Sequence, residues 1–166
     1  MEIERKWIVD RWPDNLHFDR EYDMRQGYLT VHPTVRIREE ALNGGETSYV
    51  LCLKSGSGLA RYETEINLTH DEFREIEEMI GLPLIPKIRK NYLLSDGLVL
   101  EVNLVDEGAP TEYMYAEIEF DTVEEARSWD PGKEGLQEYL SQEVTEEPQQ
   151  TMGAYWLLTR KNGADT

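Results

Sequence analysis

The chain has 166 residues, 17 Lys+Arg against 34 Asp+Glu and a single Cys, a length that fits one domain over 1–166 with ample core. With 39% apolar and 31% charged residues and no window near 18 uninterrupted apolar residues, it reads as a folded, soluble, acidic protein without a membrane span. A net charge of −17 argues against binding nucleic acid or anionic membrane by bulk electrostatics, and a lone Cys52 without a leading signal peptide points to the cytoplasm.

In chain order, eight stretches carry strand patterning, at roughly 1–9, 20–29, 33–40, 46–54, 59–67, 86–94, 97–105 and 112–120. Their separators are turn-like: Asn43-Gly44-Gly45, Ser55-Gly56-Ser57-Gly58, Asp96-Gly97 and Gly108-Ala109-Pro110. Asp96-Gly97 predicts a tight type I′ hairpin. Between the fifth and sixth strands, Thr69 and Glu72 have capping-box spacing, Phe73, Ile76 and Ile80 follow at helical spacing, and Gly81-Leu82-Pro83 ends the run. Thr122 and Glu125 repeat the cap before a shorter helix. Leu136, Tyr139 and Leu140 predict another helix, and Ala154 to Leu158 a last one.

Side chains alternate between the two faces of a strand. Glu2, Glu4 and Lys6 therefore oppose Ile3 and Trp7; Arg36 and Arg38 oppose Val35 and Ile37; Lys54 lies with Val50 and Cys52, opposite Leu51 and Leu53. Arg61, Glu63 and Glu65 oppose Tyr62 and Ile66; Lys87 and Arg89 oppose Ile88; Glu101 and Asn103 oppose Val102; Glu117 and Glu119 oppose Ile118. Alternation alone is met by an antiparallel sheet with one wet face. The signs say more. Glu-x-Glu occurs at 2/4, 63/65 and 117/119, Arg-x-Arg at 36/38 and Lys-x-Arg at 87/89. Residues two apart on a strand lie roughly 6.8 Å apart, inside the ~8 Å Debye length of physiological salt. Such like-charge pairing costs stability unless something neutralises it, and carboxylate pairs suit a hard divalent cation while cation pairs suit phosphate oxygens. Eight antiparallel strands can close into a barrel, turning the charged face into a lumen and the apolar face into an exterior covered by helices. The expected fold is thus α+β: an eight-stranded antiparallel β-barrel tunnel over about 1–120, helices outside it, and a helical part over about 121–162.

These residues resemble the CYTH superfamily, the triphosphate tunnel metalloenzymes, in its stand-alone bacterial form. Glu2-Ile3-Glu4-Arg5-Lys6 matches the ExExK signature. The likeness continues through Gln26-Gly27-Tyr28-Leu29, Arg36-x-Arg38, Lys54, Arg61-x-Glu63-x-Glu65, Lys87-x-Arg89, Glu101-x-Asn103 and Glu117-x-Glu119. The resemblance implies a lumen that binds a triphosphate with one or two Mg²⁺ or Mn²⁺ ions. By it, Lys6, Arg36, Arg38, Lys54, Arg61, Lys87 and Arg89 hold phosphates, and Glu2, Glu4 and one or both of Glu117 and Glu119 hold the first metal. Glu63 and Glu65, with Glu101 near, face a second metal or orient the attacking water; Lys6, Glu63 and Glu65 are the expected catalytic residues. Asn103 stands where the family often has Asp, and Thr145 to Ala154 follows the family's C-terminal pattern only in part.

No Cys, Ser or His stands out as a nucleophile, and His17, His32 and His70 lack metal-ligand spacing. The expected activity is divalent-metal-dependent hydrolysis of inorganic tripolyphosphate or a similar small triphosphate, releasing orthophosphate. The alternatives are a class IV-type adenylate cyclase, a thiamine triphosphatase, and a non-catalytic module binding phosphorylated ligands. The expected partner is the small triphosphate alone, with a homodimer as a family-level possibility.

Overall fold

Alternation of charge and bulk builds the wall of this molecule. A computed structural model describes residues 1–162. Its strands are β1 (Glu2–Val9), β2 (Phe18–Thr30), β3 (Thr34–Leu42), β4 (Thr47–Lys54), β5 (Ala60–Arg61), β6 (Glu63–Leu68), β7 (Ile85–Leu93), β8 (Val99–Val105), β9 (Tyr113–Glu119) and β10 (Gln142–Glu143). Its helices are α1 (His70–Ile80), α2 (Val123–Ser128) and α3 (Met152–Trp156), with short turns of 3₁₀-helix at Pro131–Glu134 and Pro148–Gln150 and a π-helical turn at Leu157–Lys161.

The strands are hydrogen-bonded in the order β10-β1-β9-β8-β7-β2-β3-β4-β6, every pairing antiparallel. β5 leads directly into β6 and pairs back onto β1, with Glu2 opposite Arg61 and Ile3 opposite Ala60, so the sheet curls into a nearly closed barrel. All eight expected strands are present, the fifth divided at Tyr62 into β5 and β6. The path has nine strands rather than eight because the two-residue β10 extends the sheet beyond β1.

Two apolar layers cover the outer face. In one, Ile3, Trp7, Leu100, Val102, Ala116 and Ile118 meet Ala126, Trp129, Leu136 and Leu140. Arg5 fastens this cover by donating to the Ala126 and Trp129 carbonyls at 3.0 and 2.7 Å and pairing with Glu143 at 2.7 Å. In the other, α1 lies across β2, β3, β4 and β6 and buries Phe73 completely; truncating such a ring costs about 3–5 kcal/mol. Thr69 and Glu72 form the expected capping box, and Gly81 closes α1 at φ +67°, where glycine avoids the Cβ clash. Among the described residues no helix is long and apolar enough to cross a membrane.

Three local expectations are corrected. The β7–β8 hairpin forms, but not on a type I′ turn. Among the loop residues only Gly97 has positive φ (+88°), Gly97 N–H donates to the Leu94 carbonyl at 3.1 Å, and Leu94 N–H to that of Leu98 at 2.8 Å. This is a three-residue loop with a glycine bulge, and the Asp96 carboxylate accepts from Leu98 N–H instead of entering the left-handed region. The helix expected from Leu136, Tyr139 and Leu140 is a single turn closed by Leu140 N–H to the Leu136 carbonyl at 2.8 Å. Gly132 and Gly135 break the run before it, and burial of Leu136 and Leu140 alone accounts for the spacing. The last helix begins two residues earlier than expected, because the Thr151 side chain caps it at Ala154 N–H.

Candidate active site

The barrel encloses a cavity of about 440 Å³. Every residue expected at the site lines it: Glu2, Glu4, Lys6, Arg36, Arg38, Lys54, Arg61, Glu63, Glu65, Lys87, Arg89, Glu101, Glu117 and Glu119. Strand order sorts most of them by sign. β9, β1 and β6 carry carboxylates along one arc; β7 and β3, separated by β2, carry cations along the other, while Lys6 on β1, Lys54 on β4 and Arg61 on β5 set cations on or beside the acidic arc and belong to the basic set by charge. The polar face of an alternating strand is the concave one here, because the apolar face has found helices to bury against.

On the acidic arc, register sets Glu119 opposite Glu4 and Glu117 opposite Lys6. The carboxyls of Glu4 and Glu117 act on each other directly, and their titration is linked. Loss of solvent, then repulsion from Glu117, pushes Glu4 well above the ordinary carboxylate range. Burial opposes ionisation of Glu117 too, but Lys6, then Glu4 and Arg89, outweigh it and hold Glu117 low. The two neighbours are thus pushed in opposite directions, Glu4 toward its neutral form and Glu117 toward its charged one. Burial also pushes Glu2 up, yet Glu63 and the Lys54 ammonium, donating at 2.7 Å, bring it below its usual value. Glu63 is pushed up to about 7 by burial and by its hydrogen bond with Glu2. Glu119 rises by burial and by Glu2. Carboxylates this close need a proton or a cation between them, and an all-oxygen donor set of this kind fits a hard divalent ion.

The basic arc is balanced differently. Lys54 has Glu2; Arg38 has Glu40 at 2.6 Å and Glu65 at 3.6 Å; Arg89 has Glu101 at 2.9 Å. Lys6, Arg36, Arg61 and Lys87 have no carboxylate within 4.0 Å among the described residues. Lys87 is 4% exposed and donates to the Tyr115 hydroxyl at 2.9 Å. Lys6 donates to the Gln150 carbonyl at 2.7 Å and stands 4.2 Å from the Tyr115 ring centroid. The Arg36 Nε–H is buried without an acceptor. Burial lowers Lys6, and burial with Arg89, Arg38 and Arg36 nearby lowers Lys87 far below the usual ammonium value. A cation group of this kind calls for an anion rich in acceptor oxygens.

Several lining residues have no charge to announce them. Tyr28 and Tyr115 face inward, and Val144, Thr145, Gln150 and Met152 bring the C-terminal segment along the cavity. This segment is held by β10 on β1, by Val144 N–H to the Lys6 carbonyl at 2.8 Å, and by Leu59 N–H to Glu146 at 3.2 Å. The signal for Tyr115 is its place two residues before Glu117 on the same strand face. Asn103 does not line the cavity; it is fully buried and accepts from Arg89 Nε at 2.9 Å. Cys52 points inward, donates to Glu63 at 3.4 Å, and with Glu63 and Glu65 forms a group whose ligand atoms lie within 4.8 Å of one another. Burial raises its thiol pKa. His70 packs on Tyr49 at 5.2 Å, and His32 sits exposed at the cavity mouth.

No family model matches the chain. It is 35% identical over 147 residues to the inorganic triphosphatase of Nitrosomonas europaea, covering 88% of this chain and 90% of that protein. Its fold superposes on the crystal structure of the inorganic triphosphatase NE1496 with a TM-score of 0.60 at 28% identity, over 93% of each chain. The PH1819 protein of Pyrococcus horikoshii OT3 shares the fold, with a TM-score of 0.57 at 20% identity over 76% of this chain and 82% of that one. The chain belongs to the CYTH superfamily, the triphosphate tunnel metalloenzymes.

Proposed function

We propose that this protein hydrolyses inorganic triphosphate to orthophosphate and pyrophosphate with a divalent cation, Mg²⁺ or Mn²⁺. One observation carries this: Lys6, Arg36 and Lys87 converge in an enclosed cavity without carboxylate partners among the described residues, facing an arc of crowded carboxylates. A metal–triphosphate complex satisfies both halves. Glu2, Glu4, Glu117 and Glu119 would hold the cation, with Glu101 beside Arg89 as a further oxygen donor. When bound, the cation supplies charge neutralisation at the phosphate oxygens.

The chain's own residues do the rest. Lys6, Arg36, Arg38, Lys54, Arg61, Lys87 and Arg89 hold the phosphate oxygens, the arginines in planar two-point contacts. Glu63, with its pKa near 7, takes the proton of the attacking water, a value suited to accepting and then releasing it at neutral pH. Glu65 orients that water. As water oxygen bonds to the terminal phosphorus, the bridging P–O bond breaks and its electrons remain on the departing pyrophosphate, which Lys6 stabilises. The aromatic rings lining the cavity, Tyr28 and Tyr115, are 4% and 1% exposed, so neither offers a face for stacking a nucleobase. A single Cys52 kept as a thiol fits a reducing, cytoplasmic setting.

The test is product analysis after incubation with tripolyphosphate, ATP or thiamine triphosphate and Mg²⁺ or Mn²⁺. Orthophosphate with pyrophosphate from tripolyphosphate is expected. Cyclic AMP from ATP, with tripolyphosphate left intact, would overturn the reading.

A further inference from the structure

Lys87 and Lys54 are both buried lumen ammonium groups, 4% and 6% exposed, yet they are partnered in opposite ways. Lys54 donates to a carboxylate, Glu2, at 2.7 Å and its charge is cancelled locally. Lys87 donates at 2.9 Å to a phenol, the Tyr115 hydroxyl, which carries no formal charge to cancel its own. The same tyrosine ring lies 4.2 Å from Lys6 Nζ, so one residue touches two of the cations that lack carboxylates. A phenol offers an oxygen acceptor at its rim and a negative π face, and both steady an ammonium without neutralising it.

The ring is also fixed in place. Tyr115 is 1% exposed, lies between Ala116 and Met114 on β9, and has Tyr113 stacked against it at 5.8 Å with planes 27° apart. In register it stands opposite Asn103 on one side and Ile8 on the other, both residues without charge. Asn103 in turn accepts from Arg89 at 2.9 Å. Neutral acceptors on β8 and β9 thus touch both cations of β7, Arg89 having the Glu101 carboxylate at 2.9 Å as well and Lys87 none.

We propose that Tyr115 is a positioning residue that stages Lys87 and Lys6 for the polyphosphate: its hydroxyl and ring set the two ammonium groups in place while leaving their charge for the anion. This rests on the triphosphatase reading and deepens it. A Tyr115 that merely fills the core would matter for stability and not for the anion.

The test is Tyr115→Phe, which keeps the ring beneath Lys6 and removes the acceptor of Lys87, read by calorimetric binding of inorganic triphosphate without metal and by steady-state kinetics with metal. Dissociation constant and KM should each rise roughly tenfold, the scale of a hydrogen bond to a charged group, while kcat stays within about threefold. Because Tyr115 acts through Lys87, adding Tyr115→Phe to Lys87→Met should change the dissociation constant less than about twofold. That double variant has no stranded buried ammonium, so it carries the test even if Tyr115→Phe alone unfolds. Unchanged binding in Tyr115→Phe, or an equal tenfold loss in both backgrounds, overturns the proposal. A wild type that binds triphosphate without hydrolysing it would sink the enzymatic reading alone, and the binding ratio would still decide the role of Tyr115.

Discussion

The two arcs of the lumen carry similar densities of charge and solve the problem in different ways. The acidic arc settles part of its repulsion internally: burial and Glu117 drive Glu4 toward its neutral form, Glu63 is pushed up to about 7, and Glu2 leans on Lys54. The cations are settled by outside groups instead: they lean on a tyrosine, a backbone carbonyl and carboxylates of neighbouring strands. The contrast shows which side is hungrier. An anion relieves the basic arc at once, whereas a cation must work against the neutral form toward which burial and Glu117 drive Glu4. Triphosphate alone should therefore bind, and metal should join through it.

Breaking the acidic arc gives the largest expected effect. Glu4→Gln keeps shape and hydrogen-bonding while removing the charge a cation needs, and should lower kcat by roughly 10³-fold, as loss of a central electrostatic group does. The fold should survive, because the substitution replaces a carboxyl that is already driven toward its neutral form. Phosphate release and a thermal melt measured on the same sample decide it; a variant keeping more than a tenth of wild-type turnover would remove Glu4 from the metal site.

The basic arc is probed next, by adding what it lacks. Inorganic triphosphate in metal-free buffer at 100 times its dissociation constant should stabilise the native state by about 2.7 kcal/mol. For a chain of this size that raises Tm by roughly 5–10 °C. An equal concentration of Mg²⁺ without triphosphate should do much less, since burial and Glu117 already drive Glu4 toward its neutral form. If the metal alone gives the larger shift, the order of the two arcs is reversed.

Much of this asymmetry is legible in the sequence. Like charges two apart on a strand can only be stable where something bridges them, so Glu2/Glu4, Arg36/Arg38, Lys87/Arg89 and Glu117/Glu119 announced a lined cavity, and all of them line it. The wall strands and α1 were legible because alternation and a capping box are local signals. What stayed hidden depends on distant partners. Tyr115 looks like any core aromatic until β7 is laid two strands away and Lys87 reaches it. The run Leu136, Tyr139, Leu140 has helical spacing, but one turn between Gly135 and β10 satisfies it. The path of the C-terminal segment along the cavity follows from Val144 N–H meeting the Lys6 carbonyl, a backbone contact that side-chain patterning cannot foretell.

A salt bridge outside the lumen supplies the baseline against which both arcs are judged. Arg160 clasps Asp106 in a two-point pair at 2.6 and 2.7 Å, and the Tyr155 hydroxyl donates to the same carboxylate, tying the C-terminal helical turn to the end of β8. Asp106 has φ +52°, a conformation Asn also accepts, so Asp106→Asn removes charge without new backbone strain. Losing the ionic part of a hydrogen-bonded pair should cost about 2 kcal/mol, or roughly 4–8 °C in Tm. Burial raises the Asp106 pKa, but Arg160 and Tyr155 outweigh it and hold the carboxyl below its ordinary value of 3.8. The sign follows: the contribution is complete above the unfolded-state value and is lost as pH falls through the lower folded-state one. The Tm gap between wild type and Asp106→Asn should therefore be constant from about pH 8 to pH 5 and close only below about pH 4. Triphosphate should leave that gap untouched at neutral pH, because Asp106 and Arg160 lie outside the cavity lining. A gap that triphosphate narrows would mean that the C-terminal turn and the lumen are energetically coupled, and that the baseline belongs to the site after all.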